Sequence, residues 1–311
     1  MKKQTVGVIV PVFNREKLVV RCLDSILHQS VRPDELIVVD NNSSDSSFSV
    51  VENWMETNKN SGIVFKLLRE EKKGACEARY KGEVNAESDL VIFFDSDDEM
   101  HPELIEKSKK EFDKDSQTNL VCWKSEIKLL DGSKRVPPFK WKNPVEGHLI
   151  HTLLRPQGYM IQKEILEQSG GWSKSVKVWN DFELGLRILF QYPKIKAIPE
   201  ILSMIYSQEE SITGKDFSSK EGVWEKTLNE MQKETDKSDH PEKTKIFKIL
   251  DYRRAILSAH YYREGNKKGA KTLMVETLKN KGWFERIILN FSYRFTRMGL
   301  RGVWRLVRFA Y

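Results

Sequence analysis

The sequence predicts an α/β fold built on a mostly parallel, doubly wound sheet. Apolar runs of strand length recur along the first two hundred residues, and helical patterns separate them. Strands that alternate with helices in this way are typical of βαβ units. From about Lys220 onward the pattern is helical only, so we expect a helical C-terminal region.

Four strand–helix pairs are predicted in the first 115 residues. The strands are apolar runs of the kind that form buried strands, and the helices have apolar residues three and four positions apart. Asn14 is expected to cap the first helix and Asp45 the second, since Asn and Asp are preferred N-caps. The predicted strands are 5–13, 35–40, 63–69 and 89–95, and the helices follow Asn14, span 46–55, follow Gly74 and run from Pro102 to about Asp115.

Shorter elements are predicted in the next ninety residues. Asp131-Gly132 is expected to form a hairpin turn, because this dipeptide favours the left-handed backbone of tight β-turns. The predicted strands are 119–130, 134–139, 158–161 and 197–206, and the predicted helices are 145–154, 163–169 and 180–190.

Composition indicates a folded, water-soluble protein. The 311 residues are 39% hydrophobic and 31% charged. Cys22, Cys76 and Cys122 form neither a disulfide pattern nor a metal-binding pattern, which favours a reducing compartment. The sequence has no run of 18 apolar residues and no signal-peptide features at its start, so a cytoplasmic location is expected.

The net charge of +7 is concentrated near the C-terminus, where residues 282–311 contain six arginines and one acidic residue. No basic patch with interleaved aromatics occurs in the first two hundred residues, so no nucleic-acid partner is expected. On one helix, five arginines would share a face opposite apolar residues 295, 300, 303, 306 and 307. This pattern is typical of peripheral contact with an anionic membrane, but a helix packed on the rest of the protein would also show it. The five arginines are Arg294, Arg297, Arg301, Arg305 and Arg308.

Acidic residues follow two of the predicted strands. The fourth strand ends in Asp95-Ser96-Asp97-Asp98, and the second ends in Asp40. Ligands of parallel α/β sheets bind beyond the carboxyl ends of the strands, so these acids are expected to converge with Phe13-Asn14. Carboxylate oxygens are the ligands that Mg²⁺ and Mn²⁺ prefer. Two simpler interpretations remain open: the cluster is a turn with solvated acids, and Asp40 only caps the loop that follows it.

Five motifs, in order, resemble family 2 glycosyltransferases with the GT-A fold, of the bacterial cell-surface polysaccharide type. One such motif is weak evidence, but five in the same order make chance a poor explanation. The resemblance implies a mixed sheet flanked by helices in a catalytic domain at 1–215, with a nucleotide-sugar half to about residue 100 and an acceptor half at 101–215. A helical region would occupy 216–311. The motifs are Val10-Pro11-Val12-Phe13-Asn14-Arg15, Val38–Asp45, Gly74–Arg79, Phe94–Asp98, and Gly170-Gly171-Trp172 followed by Asn180–Leu184.

The resemblance also implies roles for individual residues. Phe13 would flank the nucleotide base, and Asp40 would accept a hydrogen bond from it, which suits the imide N–H of uracil. Asp95 would face the ribose, Asp97 would bind Mn²⁺ or Mg²⁺ on the diphosphate, and Asp181 would be the general base. The other residues expected to bind the nucleotide are Pro11, Asn14, Arg79 and Ser96.

The implied activity is inverting transfer of a hexose or N-acetylhexosamine from a nucleotide-diphosphate donor, expected to be a UDP-sugar. The acceptor would be a hydroxyl of a glycan or a lipid-linked glycan. A divalent cation stabilises a leaving diphosphate, and a carboxylate activates a hydroxyl by removing its proton. A nucleotidyltransferase is the rival enzyme, but the sequence has no evident Gly-rich phosphate loop with a following Lys.

Two positions depart from the family pattern. The usual Glu-Asp pair is Asn180-Asp181 here, so Asp181 is the expected base and Glu183 the fallback. Gln208 stands at or near a position where the family often has His, shortly before Ser211-Ile212-Thr213. These departures keep open the alternative of a catalytically silent protein of the same fold that binds sugar nucleotides.

Several of these residues also have simpler interpretations. Arg79 could pair with Glu83, four positions along a surface helix. Asp181 could cap the helix that begins near it. Trp172 and Trp179 are more often core or lid aromatics than platforms on which a sugar stacks.

Overall fold

The computed structural model describes residues 4–208 and 217–310, which fall into two compact units, one within 1–209 and one within 210–311. The boundary predicted at residue 215 and the predicted Ser211-Ile212-Thr213 motif lie outside the described residues. The first unit contains the sheet, and the second is helical.

The first half of the sheet is parallel, as predicted. It consists of β1 (Val6–Val12), β2 (Glu35–Asp40), β3 (Val64–Arg69) and β4 (Leu90–Phe93), in the spatial order β3-β2-β1-β4. The register pairs Val12 with Asp40, so the carboxyl ends of β1 and β2 lie side by side.

The second half makes the sheet mixed rather than mostly parallel. β8 (Tyr159–Gln162) is antiparallel to β4 and to β6 (Leu120–Lys128), while β9 (Ile195–Tyr206) is parallel to β6. β5 (Glu99–Met100) pairs antiparallel with β9, and β7 (Lys134–Arg135) pairs with β6. The sequence does not predict β5, because two residues are too few to form a pattern.

The helices of the first unit lie near their predicted positions, and the second unit is helical, as predicted. Those of the first unit are α1 (Val19–Leu27), α2 (Ser47–Thr57), α3 (Ala75–Asn85), α4 (Leu104–Lys114), α5 (Pro144–His151), α6 (Lys163–Gln168) and α7 (Asn180–Leu189). Those of the second unit are α8 (Val223–Lys237), α9 (Lys243–Arg263), α10 (Lys267–Leu278), α11 (Trp283–Arg297) and α12 (Trp304–Val307).

Residues of β1 alternate between the two faces of the sheet. Val8 and Val10 belong to a buried core cluster that includes residues of α1, α2 and α4. Ile9 faces the other way, toward α3, where a Cβ added at Gly82 would lie 2.3 Å from Ile9 Cγ2. Gly82 therefore permits the close approach of α3, the helix that carries Arg79.

Three predicted helix caps are wrong. Asn14 does not cap α1, whose N-cap is Leu18; Asn14 instead adopts a left-handed backbone (φ 51°), which Asn tolerates better than most residues. Asp45 precedes the N-cap of α2, although its Oδ1 accepts a hydrogen bond from the N–H of Ser47 (2.9 Å). Asp181 lies inside α7, whose N-cap is Trp179.

The single basic helix predicted near the C-terminus is also wrong. α11 ends at Arg297, and Gly299 and Gly302 then adopt positive φ (83° and 84°) before α12 begins. Glycine takes this left-handed backbone without steric cost and so ends a helix. Of the predicted apolar face, Val303 and Val307 are buried, whereas Leu300 and Leu306 are exposed. None of the described helices is long and apolar enough to cross a membrane.

Candidate active site

The loops that follow β1 and β2 are tied together by hydrogen bonds. Asn14 accepts at Oδ1 from the N–H of Ser44 (2.8 Å), and the N–H of Asn14 donates to Ser43 Oγ (3.0 Å). Beside this link Phe13 is 45% exposed, while Pro11 is half-buried within β1. The held backbone thus presents one aromatic ring to solvent at the carboxyl edge of the sheet.

Asp40 is a buried carboxylate with one oxygen unused. The residue is 4% exposed, and its Oδ2 accepts a hydrogen bond from the N–H of Ser43 (3.2 Å). Oδ1 has no hydrogen-bond partner among the described residues. A buried acceptor without a donor is costly, and each such group needs an explanation. A loop-capping role explains Oδ2, whereas a ligand N–H would satisfy Oδ1.

The acids after β4 are held by protein groups, so the interpretation of this cluster as a turn with solvated acids is wrong. Gln157 donates from Nε2 to Oδ2 of Asp95 (2.5 Å) and to Oδ2 of Asp98 (2.6 Å). Asp98 also accepts from the N–H of Tyr206 (2.9 Å) and is 2% exposed, and Ser96 is buried as well. Burial and the neighbouring carboxylates raise the pKa of Asp98 well above its ordinary value.

Asp97 differs from Asp95 and Asp98 in its described partner, which is Arg15 rather than Gln157. Arg15 Nε lies 3.3 Å from Asp97 Oδ2, and the Asp97 side chain keeps 18% of its surface exposed. Burial and the charge of Asp95 raise the pKa of Asp97, which means that added positive charge would stabilise its ionised form.

The donor set around Asp97 fits a metal that arrives with a diphosphate. Within residues 4–208 and 217–310, no three His, Cys, Asp or Glu residues form a preassembled metal cage. Mg²⁺ is commonly held by one or two carboxylates together with substrate phosphates, so one partly exposed carboxylate such as Asp97 suffices for that mode. Asp95 and Asp98 already accept hydrogen bonds from Gln157, which leaves Asp97 as the candidate ligand.

Arg79 joins the acidic loop to α7. Its Nη2 donates to Asp95 Oδ1 (2.6 Å), and its Nη1 donates to Asn180 Oδ1 (3.4 Å). The guanidinium lies 4.7 Å from the ring centroid of Trp172, a buried residue that also packs edge-on against Phe93. Arg79 therefore pairs with Asp95 rather than Glu83, and Trp172 is a core residue.

Asp181 is the carboxylate of α7 that remains available for chemistry. Burial raises the pKa of Asp181, although the positive charges of Arg79 and Arg155 oppose that shift. Glu183, the fallback base, is buried and forms an ion pair with Arg187, with 2.6 Å between Glu183 Oε1 and Arg187 Nε. This pairing makes Glu183 a structural residue.

The family model described as "Glycosyl transferase family 2" matches residues 7–160. This chain belongs to glycosyltransferase family 2. A Campylobacter jejuni protein named GalNAc(5)-diNAcBac-PP-undecaprenol beta-1,3-glucosyltransferase is 37% identical to this chain over 94 residues, 30% of each protein. The chain spans a third or less of the length of several curated relatives that it matches.

Solved structures identify the fold of this family 2 member as GT-A. S. aureus TarS in complex with UDP-GlcNAc superposes with a TM-score of 0.72 at 18% identity, covering 95% of this chain and 92% of that one. The mannosyltransferase PcManGT of Pyrobaculum calidifontis, in complex with GDP-Man and Mn²⁺, superposes with a TM-score of 0.56 at 17% identity, covering 96% and 84%.

Three residues to which the sequence analysis assigns no role lie close to residues of the candidate site. Arg15 lies within a recognised motif, so its place was the easiest to anticipate. Gln157 follows a proline in a short turn, where no spacing pattern points to its contacts with the acids. Arg155 donates to the carbonyls of His151 (3.0 Å) and Thr152 (3.2 Å), and burial lowers its pKa.

The departure from the family pattern at Asn180 has a visible structural consequence. An Asn at this position accepts a hydrogen bond from Arg79 without adding a second negative charge beside Asp181. Gln208 lies two residues beyond β9, and the Ser211-Ile212-Thr213 motif with which it was paired lies outside the described residues.

Proposed function

We propose that this glycosyltransferase transfers a sugar from a UDP-sugar to a hydroxyl of a glycan or a lipid-linked glycan, with inversion at the anomeric carbon. One observation supports a base with a ring N–H donor, such as uracil: the unpaired, buried Oδ1 of Asp40 beside the exposed Phe13. The N3–H of uracil is a donor for that oxygen, and the Phe13 ring offers a surface for the base. The binding of UDP-GlcNAc by the structurally similar TarS favours the same choice.

The proposed diphosphate site is centred on Asp97. Asp97 would hold Mn²⁺ or Mg²⁺ together with the diphosphate, and the cation would offset the charge that the leaving group acquires. Arg15, whose Nε lies 3.3 Å from Asp97 Oδ2, is able to move from the carboxylate to a phosphate oxygen. A neighbour of the same fold is described with Mn²⁺, which supports this cofactor.

Asp181 is proposed as the base that removes the proton from the acceptor hydroxyl. Burial raises the pKa of Asp181, and a carboxylate with a raised pKa is a stronger base than an exposed one. Because the base and the leaving group act on opposite sides of the anomeric carbon, a single displacement inverts its configuration. Arg79 is proposed as a positioning residue, since it contacts both Asp95 and Asn180.

The acceptor and the location are proposals of the same kind. The Campylobacter jejuni relative is named for a substrate carried on undecaprenol diphosphate, which favours a lipid-linked acceptor here. We therefore propose a cytoplasmic protein with peripheral contact at the inner membrane face. The transferred sugar is proposed to be a hexose or an N-acetylhexosamine.

A catalytically silent sugar-nucleotide-binding protein is the second candidate. The replacement of an acid by Asn180 favours it, whereas Asp97 and Asp181, both present, favour the enzyme. The scaffold would bind the donor but would not release free UDP when an acceptor is added.

Thermal unfolding in the presence of nucleotide sugars tests the proposed donor site. A ligand that binds the folded state alone raises its melting temperature. We expect one UDP-sugar to stabilise the wild type more with Mn²⁺ than with EDTA, and Asp97→Ala to lose only the metal-dependent part. No shift with any nucleotide sugar, with or without metal, would contradict the proposed site.

A further inference from the structure

Helix α11 has apolar residues on two opposite faces. Leu289 is buried and packs with Ala255 and Met274 in a core cluster of the second unit. Trp283 and Ile287 lie on the opposite side of the helix at 100° per residue and are 76% and 55% exposed. We call this side the outer face of α11, defined by Trp283, Phe284, Ile287 and Phe291, all of which are exposed. A surface helix normally keeps only one apolar stripe, so an outer face of this kind points to a binding surface.

Positive charge surrounds the outer face. Between residues 283 and 309 there is one acidic residue, Glu285, whose carboxylate accepts a hydrogen bond from the N–H of Gly282 (3.2 Å). Six exposed arginines lie in the same segment, and none of them forms an ion pair with a residue that the structure describes. They are Arg286, Arg294, Arg297, Arg301, Arg305 and Arg308.

Further apolar side chains extend the exposed surface beyond α11. Four large ones between the end of α11 and residue 309 are at least 47% exposed. They are Met298, Leu300, Leu306 and Phe309. Arginines lie between and beside them along the chain, so apolar groups and positive charges are interspersed over the whole segment.

We propose that the outer face of α11 and its surrounding arginines dock this protein on an anionic lipid surface. Aromatic and aliphatic side chains enter the boundary between headgroups and acyl chains, while arginines extend to the phosphates. A second copy of the chain fits less well, because pairing two such faces would bring two sets of unpaired arginines together. The docking surface is independent of the proposed transfer reaction, and it differs from the face predicted from the sequence, in which Val303 and Val307 are buried.

Co-sedimentation of the full chain with vesicles tests this inference. The vesicles contain phosphatidylcholine alone or mixed with phosphatidylglycerol. The outer-face variant is Trp283→Gln, Ile287→Gln and Phe291→Gln. The matched control is Val64→Gln, Leu130→Gln and Val275→Gln, which removes three apolar side chains of 57–62% exposure elsewhere. A charge variant, Arg286→Gln, Arg294→Gln and Arg305→Gln, leaves the apolar face intact.

We expect the wild type and the control to bind anionic vesicles, and to bind phosphatidylcholine vesicles much more weakly. Three basic residues near an anionic surface contribute about 100-fold in affinity, so the charge variant should lose about that factor at low salt. The outer-face variant should lose at least about tenfold, since three large apolar side chains no longer insert.

Two results would overturn the inference. One is vesicle binding by the outer-face variant that equals that of the control. The other is a wild-type chain that does not bind anionic vesicles but self-associates in sedimentation velocity, while the outer-face variant stays monomeric. That result would assign the outer face of α11 to contact with a second copy of the chain. Neither result changes the thermal response to UDP-sugars, so failure here is distinguishable from failure of the proposed reaction.

Discussion

Replacing Asp40 by Asn should weaken UDP binding through the loss of one hydrogen bond. Asn retains a carbonyl oxygen that can accept the N–H of Ser43, the bond that Asp40 Oδ2 accepts at 3.2 Å. Its amide nitrogen then takes the place of the unpaired Oδ1. This nitrogen is a hydrogen-bond donor, so it cannot accept the uracil N3–H. A hydrogen bond to a charged group contributes about 1.5–3 kcal/mol, so the dissociation constant for UDP should rise about 10- to 150-fold.

Calorimetric titration with UDP and with 3-methyl-UDP measures this effect from both sides. The methyl group removes the N3–H, so the wild type should bind 3-methyl-UDP more weakly by at least the same factor, whereas Asp40→Asn should discriminate little between the two ligands. Asp45→Asn is the control, because the Asp45 carboxylate is used inside the loop by Ser47 and Glu16. Equal affinity of the wild type and Asp40→Asn for UDP would refute the role assigned to Asp40.

Two further predictions concern Glu83 and Arg79, both in α3. Burial raises the pKa of Glu83 to about 7, above its ordinary 4.5. The folded state therefore binds the Glu83 proton more tightly than the unfolded state does, and stability falls as pH rises from about 4.5 to 7. Because Gln does not ionise, Glu83→Gln should recover up to about 3 kcal/mol of unfolding free energy at pH 8 and much less at pH 5. Denaturant unfolding at both pH values measures this difference. An effect of Glu83→Gln that is the same at both pH values would contradict the raised pKa of Glu83. Arg79→Met should lower the free energy of unfolding by about 3 kcal/mol, because it leaves Asp95 without its cation. This value is at the low end of the cost of breaking a buried ion pair, since the Asp95 side chain is 30% exposed. Adding Asp95→Asn should restore part of that loss in a double-mutant cycle, and strictly additive losses would show that the pair is not coupled.

The sequence predicts those residues of the site that follow directly after strands. The apolar runs of β1, β2 and β4 lead to Phe13, Asp40 and Asp95, and parallel pairing brings the ends of these strands to one edge. The resemblance added a role for each residue, and those roles stay predictions. What could not be predicted is the contacts made from elsewhere in the chain. Gln157 reaches Asp95 from a turn that lies far away in sequence, and no periodicity records that approach.

The sequence predicts less well the features of the fold that depend on strand direction or on the backbone conformation of single residues. Strand β8 has the same apolar pattern whether it runs parallel or antiparallel, so its antiparallel pairing with β4 was not predictable from spacing. The spacing of the C-terminal arginines fits one helix, but it carries no information on the left-handed backbone at Gly299 and Gly302. As a result, Val303 and Val307 of the predicted apolar face are buried, and the exposed apolar residues include Trp283 and Ile287 outside that face.

Release of UDP from UDP-sugars with water as the acceptor tests the central claim most directly. UDP-glucose, UDP-galactose and UDP-GlcNAc are compared on the wild type and on Asp181→Asn, with UDP formation and UDP affinity measured on the same samples. We predict slow UDP formation from at least one donor by the wild type, and a loss of at least about 100-fold in Asp181→Asn, the scale of general base catalysis, with unchanged UDP affinity. UDP binding without UDP formation by the wild type, or equal rates in both proteins, would contradict the account.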